Sequence, residues 1–364
     1  MRPVVRVLPA LMIVGGALYE SLTPDQFTAV PFFTAAPLIA APLFGLRYTV
    51  LTGVVAVAVM FVVHLGVDQP FSAKTMTEVI TVATVAALAV LINVLVRRSD
   101  ARLASAREIA EAAQRAVLPE PDDRIGGFDI AARYEAAQAG AFIGGDLYAV
   151  QDTPHGVRLV VGDVRGKGMS AVAAVAVVIG AFREAAEREA TLEAVAGRLE
   201  RALAREGTRR DGLDAFEGFT TAVLAEIPPG RDLVRLVNRG HPGPLLLYAD
   251  GSLRALPAAE PALPLGMGDL GSWPDRAQEA EFPDGATLLL FTDGLSEARD
   301  GRGEFFAPED ELAGRLFRGP AELVEVLSEE VRRHSGGGMA DDMALLAVRR
   351  PGAEPGRPAL DHGE

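Results

Sequence analysis

The chain has 364 residues and a net charge of −14, with no cysteine and five histidines, at positions 64, 155, 241, 334 and 362. The acidity argues against nucleic acid as a partner, because phosphate backbones are held by clustered Lys and Arg. Without cysteine there are no disulfides, thiolate nucleophiles or thiolate-bound zinc, and no HxxxH pair offers paired imidazoles to a zinc ion. Residues 1–100 carry six basic and five acidic residues, leaving 29 basic and 44 acidic beyond them. The charge therefore belongs to the later part of the chain.

Residues 1–98 form a far more apolar region. Tyr48–Val67 and Val79–Val96 contain no Asp, Glu, Lys or Arg, and each is long enough as a helix to cross a hydrocarbon core of ~30 Å. Phe27–Leu46 is also uncharged but carries Pro31, Pro37 and Pro42. Val7–Tyr19 is shorter and spans only if Arg6 snorkels and the helix continues past Glu20. About four membrane helices are expected, three if the first lies in the interface. Arg2, Arg6, Arg47, Arg97 and Arg98 then share one side, which the positive-inside rule makes cytoplasmic. Glu20, Asp25, Asp68 and Lys74 share the other. His64 reads as an interfacial residue near the outer end. No intramembrane acid or base suggests a transport relay.

Residues 99–120 read as a linker helix. Ala and Arg/Glu/Gln dominate it, and Leu103, Ile109, Ala113 and Val117 make a weak apolar stripe. Two readings stay open: a short coiled coil that pairs two copies as a homodimer, or a helix packed on its own catalytic domain. Pro119, Pro121 and Gly126-Gly127 mark the boundary. Residues 121–350 alternate short strands and helices, and residues 351–364 are turn-rich and poor in apolar residues, as in a disordered tail.

Within 121–350, four places deliver an aspartate from a Gly-rich turn or an apolar strand. These are Gly144-Gly145-Asp146, Leu159-Val160-Val161-Gly162-Asp163, Leu288-Leu289-Leu290-Phe291-Thr292-Asp293, and Gly336-Gly337-Gly338-Met339-Ala340-Asp341-Asp342. Carboxylates gathered at strand ends repel one another and lose hydration, and divalent cations remove that cost. Oxygen-only donors select hard ions such as Mg²⁺ or Mn²⁺. Two such ions about 3.5–4 Å apart can activate a water and clamp a phosphoryl group. A Walker-type Gly-Lys-Ser/Thr loop is absent, which disfavours nucleotide use.

These motifs occur in order with Val164-x-Gly166-x-Gly168, Phe219-Thr220-Thr221-Ala222, Asn238-Arg239-Gly240-His241-Pro242, Leu263-Pro264-Leu265-Gly266 and Gly294-Leu295-x-Glu297-Ala298. Together they resemble the PPM-type metal-dependent protein phosphatases, in the SpoIIE and RsbU branch of bacteria, over about residues 125–350. The resemblance implies an α+β fold, an α-β-β-α sandwich with two Mn²⁺ or Mg²⁺ ions between the sheets. It implies that Asp163 bridges both ions, that the Val164 carbonyl is a ligand, that Asp293 and Asp341 hold the second ion, and that Asp146 belongs to the metal set as the acid that holds metal-bound water, either directly or through another ligand. Catalysis would run through Asp163 and Asp293 by a metal-activated water. Two departures stand out: Lys167 where many members show histidine, and Ala149 where they often show a second acid. His241, in a Gly-His-Pro-Gly turn, reads as a structural hydrogen-bonding residue, and the Met169–Glu187 helix as a lever on the Asp163 loop.

The leading expectation is a multi-pass inner-membrane serine/threonine phosphatase with its catalytic domain in the cytoplasm. Its substrate, by resemblance, is a phosphorylated anti-sigma-factor antagonist. The alternative is a catalytically weak membrane receptor whose phosphatase-like domain only binds partner proteins.

Overall fold

The computed structural model describes residues 3–23, 27–65, 73–136, 144–166, 168–207, 219–271, 273, 275–339 and 341–352. Ile143, Lys167, Ala340, Asp25, Asp68, the tail beyond 352 and the side chains of Leu103, Ile109 and Ala113 lie outside this description. The chain divides into two compact units, residues 1–106 and 107–364.

The first unit is helical: α1 (Pro3–Leu22), α2 (Val30–Leu43), α3 (Leu46–Leu65) and the start of α4 (Ala73–Val117). Ile13, Phe33, Met60 and Val82 meet among Ala29, Ala36 and Ala56, and these small side chains let the helices approach closely. Asn93 is fully buried and donates to the Ala41 and Phe44 carbonyls at 2.6 and 2.8 Å, which satisfies acceptors that the end of α2 leaves without helical partners. Large apolar side chains, among them Leu51, Val54, Ile80, Leu91 and Leu95, face outward. Leu46–Leu65 and Ala73–Arg102 are long and apolar enough to cross a membrane, while Val7–Leu22 and Val30–Leu43 are shorter apolar helices. The expected linker helix is not separate from the last apolar helix. No Gly or Pro occurs between Ala73 and Val117, and α4 runs through both.

The second unit is built on two antiparallel sheets. One has the order β1 (Arg124–Ile125), β2 (Phe128–Glu135), β11 (Met343–Arg349), β10 (Thr287–Phe291), β7 (Leu245–Leu247), β8 (Leu253–Ala255). The other has the order β3 (Asp146–Thr153), β4 (Gly156–Val164), β5 (Thr220–Ile227), β6 (Leu233–Arg239), β9 (Gln278–Glu281). Alternate residues of each central strand point to opposite faces. Leu159 and Val161 of β4 meet Leu288, Leu290 and Leu346 between the sheets. Val160 instead packs under α5 (Met169–Arg188) and α6 (Leu192–Gly207), against Val178, Phe182 and Leu199. Leu289 and Leu345 face Leu323, Leu327 and Val331 of α8 (Pro320–His334). The domain is therefore an α-β-β-α sandwich. Both faces of its central strands are covered, which is why those strands read as unbroken apolar runs.

Candidate metal centre

Strand register brings the first acids together. Asp146 at the start of β3 lies opposite Asp163 near the end of β4, and Asp163 lies opposite Thr221 on β5. The facing sheet supplies the third acid. β10 ends at Phe291, and Asp293 opens the single turn α7 (Asp293–Ser296). One carboxylate oxygen each from Asp146, Asp163 and Asp293 lie within 4.8 Å of one another.

Two side chains fasten the sheets at this point. Thr292 donates its hydroxyl to Asp146 Oδ2 at 2.6 Å and accepts the Ala344 amide at 2.9 Å. His241 Nε2 lies 3.1 Å from the Phe291 carbonyl and Nδ1 lies 2.9 Å from the Thr221 hydroxyl. A carbonyl can only accept, so Nε2 carries the proton and Nδ1 accepts from Thr221. The imidazole thus ties the strand that carries Thr221 to the strand that leads into Asp293. Its burial pushes its pKa down to about 3, so it is neutral.

The acids are costly as they stand. Burial, and then repulsion from Asp293, pushes Asp163 up to about 7. Asp146 is raised well above the usual carboxylate range by burial and then by Asp163. Asp293 is raised by burial, then by Glu297 and Asp341. Cations among these oxygens would remove both penalties. The backbone is shaped for the same purpose. A Cβ on Gly145 would stand 2.0 Å from the Val164 carbonyl oxygen and 2.7 Å from Asp163 Oδ1, so only glycine leaves that space open. The donors are carboxylate and carbonyl oxygens, the set that suits Mg²⁺ or Mn²⁺.

Of the residues expected from sequence, Asp146, Asp163, Val164 and Asp293 converge. Asp341 is solvent-exposed at the rim, and its charge reaches both Asp163 and Asp293. Its neighbour Asp342 is buried, 4% exposed, and adds to the charge acting on Asp146 and Asp163. Arg165 is exposed beside the site, with its guanidinium 5.2 Å from the centre of the Phe219 ring. Sequence reasoning assigned no role to Thr292 or Glu297. Both sit inside the Phe-Thr-Asp-Gly-Leu-x-Glu motif, whose ordered match was the signal available.

The sequence profile of the family described as Stage II sporulation protein E (SpoIIE) matches residues 153–351. The chain belongs to the SpoIIE family. The SpoIIE-family domain has the fold of known PP2C phosphatase domains. The PP2C domain of SiaA from Pseudomonas aeruginosa superimposes with a TM-score of 0.56 at 20% identity, over 69% of this chain and 98% of that one. The PP2C phosphatase domain of SpoIIE from Bacillus subtilis, with a fragment of its regulatory domain, gives 0.51 at 19% identity, over 62% and 64%. The RsbU and RsbW domains of a Mycobacterium tuberculosis protein give 0.50 at 26% identity, over 64% and 62%. A curated relative, Protein IcfG of Synechocystis, is 24% identical over 135 residues, so the match spans 36% of this chain and about a fifth, 21%, of that protein.

Proposed function

We propose that this chain is a membrane-anchored, metal-dependent serine/threonine protein phosphatase. The observation that carries the reading is the convergence of Asp146, Asp163 and Asp293 within 4.8 Å, from strand ends on two different sheets. Asp163, Asp146, Asp293 and the Val164 carbonyl would hold the ions, with Asp341 completing the set from the rim. Two Mn²⁺ or Mg²⁺ ions, when bound, supply Lewis acidity toward a phosphoryl oxygen and lower the pKa of a water for attack on phosphorus.

The chain's own groups do the rest. Thr292 aims the Asp146 carboxylate into the cluster through its hydroxyl. His241 is held neutral with both ring nitrogens engaged, so it positions the two sheets and leaves acid–base work to other groups. Arg165, exposed at the mouth, offers a guanidinium to the incoming phosphate.

Family resemblance supports a phosphorylated anti-sigma-factor antagonist as substrate. Two helices of spanning length and the outward apolar side chains of the first unit support a membrane anchor. Within that unit the turn joining α2 to α3 lies beside Arg97: a Cβ on Gly45 would be 3.8 Å from its Nη2. Arg47 follows Gly45 by two residues, so basic residues mark this end, which supports a cytoplasmic phosphatase domain. The apolar stripe of the linker leaves a homodimer as part of the proposal.

The test is direct. The full chain in detergent should hydrolyse p-nitrophenyl phosphate and a phosphorylated anti-sigma-factor antagonist with Mn²⁺ or Mg²⁺, and should stop with chelator. Turnover that survives chelation, Asp163→Ala or Asp293→Ala removes the reading.

A further inference from the structure

A second group of ligand-type side chains lies in the helical unit, apart from the phosphatase domain. Glu20 near the end of α1, His64 at the end of α3 and Glu78 near the start of α4 turn donor atoms toward one another, all within 4.8 Å. His64 Nε2 lies 3.0 Å from Glu78 Oε2 and 3.7 Å from Glu20 Oε1. The three side chains are only 10–15% exposed.

The hydrogen bonds around the group fix its polarity. His64 Nδ1 lies 3.0 Å from the Met60 carbonyl, which can only accept, so Nδ1 carries a proton. Nε2 is then the nitrogen that faces the two carboxylates. Glu20 is oriented by its own backbone partner: Oε2 accepts the Ala29 amide at 2.6 Å, which leaves Oε1 toward the ring. A histidine that donates its far nitrogen to a backbone carbonyl while its near nitrogen faces carboxylates is the usual arrangement around a metal ion.

Donor type and spacing choose among cations. Two carboxylates face one imidazole nitrogen here. A divalent cation placed among these atoms would meet both carboxylates and the ring nitrogen at once. One imidazole nitrogen with two carboxylates suits a borderline first-row ion better than Mg²⁺ or Ca²⁺, which prefer oxygen alone. Donors on a tetrahedral ion with bonds of ~2.0–2.2 Å stand about 3.4 Å apart, and the observed 3.0 and 3.7 Å bracket that value. We propose that Glu20, His64 and Glu78 bind a divalent first-row transition-metal ion of the zinc type, with three protein ligands and one open position. Occupancy joins α1 and α3 to α4, the helix that continues to Val117.

The experiment uses the untagged full chain in detergent with Asp163→Asn and Asp293→Asn, which remove the acidic site of the phosphatase domain. Zn²⁺ is titrated against a chromophoric chelator. One equivalent should bind, and His64→Ala or Glu78→Gln should weaken it at least tenfold. Zinc absorption-edge spectra should show an imidazole among oxygen ligands. Absence of that equivalent, or equal affinity in both variants, overturns the proposal. If the variants do not fold, the spectrum of the parent decides: an all-oxygen shell overturns the site whether or not the phosphatase reading stands.

Discussion

The Thr292 hydroxyl donates to Asp146 Oδ2 across the interface of the two sheets, 146 residues away in sequence. This bond lowers the proton affinity of a buried carboxylate that burial and Asp163 otherwise raise. Thr292→Val keeps the shape and removes the donor. Partners that orient a metal ligand are typically worth about 10–100-fold in affinity, so the Mn²⁺ concentration for half-maximal turnover should rise by at least about tenfold. Thr292→Ser should restore most of it. Activation at the wild-type concentration in the valine variant would show that the bond does not tune the site.

The same cluster sets a pH dependence. Asp163 is pushed up to about 7 in the folded protein, from 3.8. Between those values Asp163 holds its proton in the metal-free folded state and loses it in the unfolded chain, so the stability this group contributes falls as pH rises from about 4 to about 7. The linkage reaches about 4 kcal/mol at most. Cations replace the protons, so the gain in melting temperature from Mn²⁺ over chelator should grow across this window. A gain that is flat from pH 5 to 8 would contradict the assignment.

His241 gives the opposite sign. Its pKa is about 3 when folded and near 6.5 when unfolded, so this group favours the folded state above about 6.5 and loses that contribution as pH falls toward 3. His241→Ala leaves the Thr221 hydroxyl and the Phe291 carbonyl without their partner, at a cost of about 2–4 kcal/mol. Turnover should fall while the pH–rate profile keeps its shape. Loss of one limb of that profile would make the imidazole an acid or base in the reaction.

The SpoIIE-family domain was legible because its acids sit at the ends of apolar runs. Leu159–Val161, Leu288–Phe291 and Met343–Val348 are covered on both faces, and each leads into or out of an aspartate at one end of the sandwich. What was hidden depends on pairing over long separations. Nothing local to His64 reveals Glu20 or Glu78, because helix packing decides which faces meet. The interfacial role expected of His64 therefore missed its two carboxylates. The boundary near residue 98 reflected a change in polarity, but helix continuity depends on the absence of Gly and Pro, and α4 ignores that change.

Arg158 is a further hidden residue, a lone charge in the run Val157-Arg158-Leu159-Val160. Its side chain has no exposure. Nε and Nη2 donate to Glu226 Oε2 at 2.8 and 2.6 Å, and Nη1 donates to the Ala186 and Glu189 carbonyls at 2.8 and 2.6 Å. One guanidinium thus fixes β4 to β5 and receives the carbonyls at the end of α5, far along the strand from Asp163. Removing one member of a buried pair strands the other and costs about 3–5 kcal/mol. Arg158→Leu should lose that much stability in chemical denaturation while turnover per folded molecule is unchanged. Arg235 still reaches Glu226 Oε1 at 3.1 Å, so Glu226→Leu added to Arg158→Leu should recover part of the loss rather than all of it. An Arg158→Leu variant as stable as the parent would mean that the α5 terminus is held by apolar packing alone.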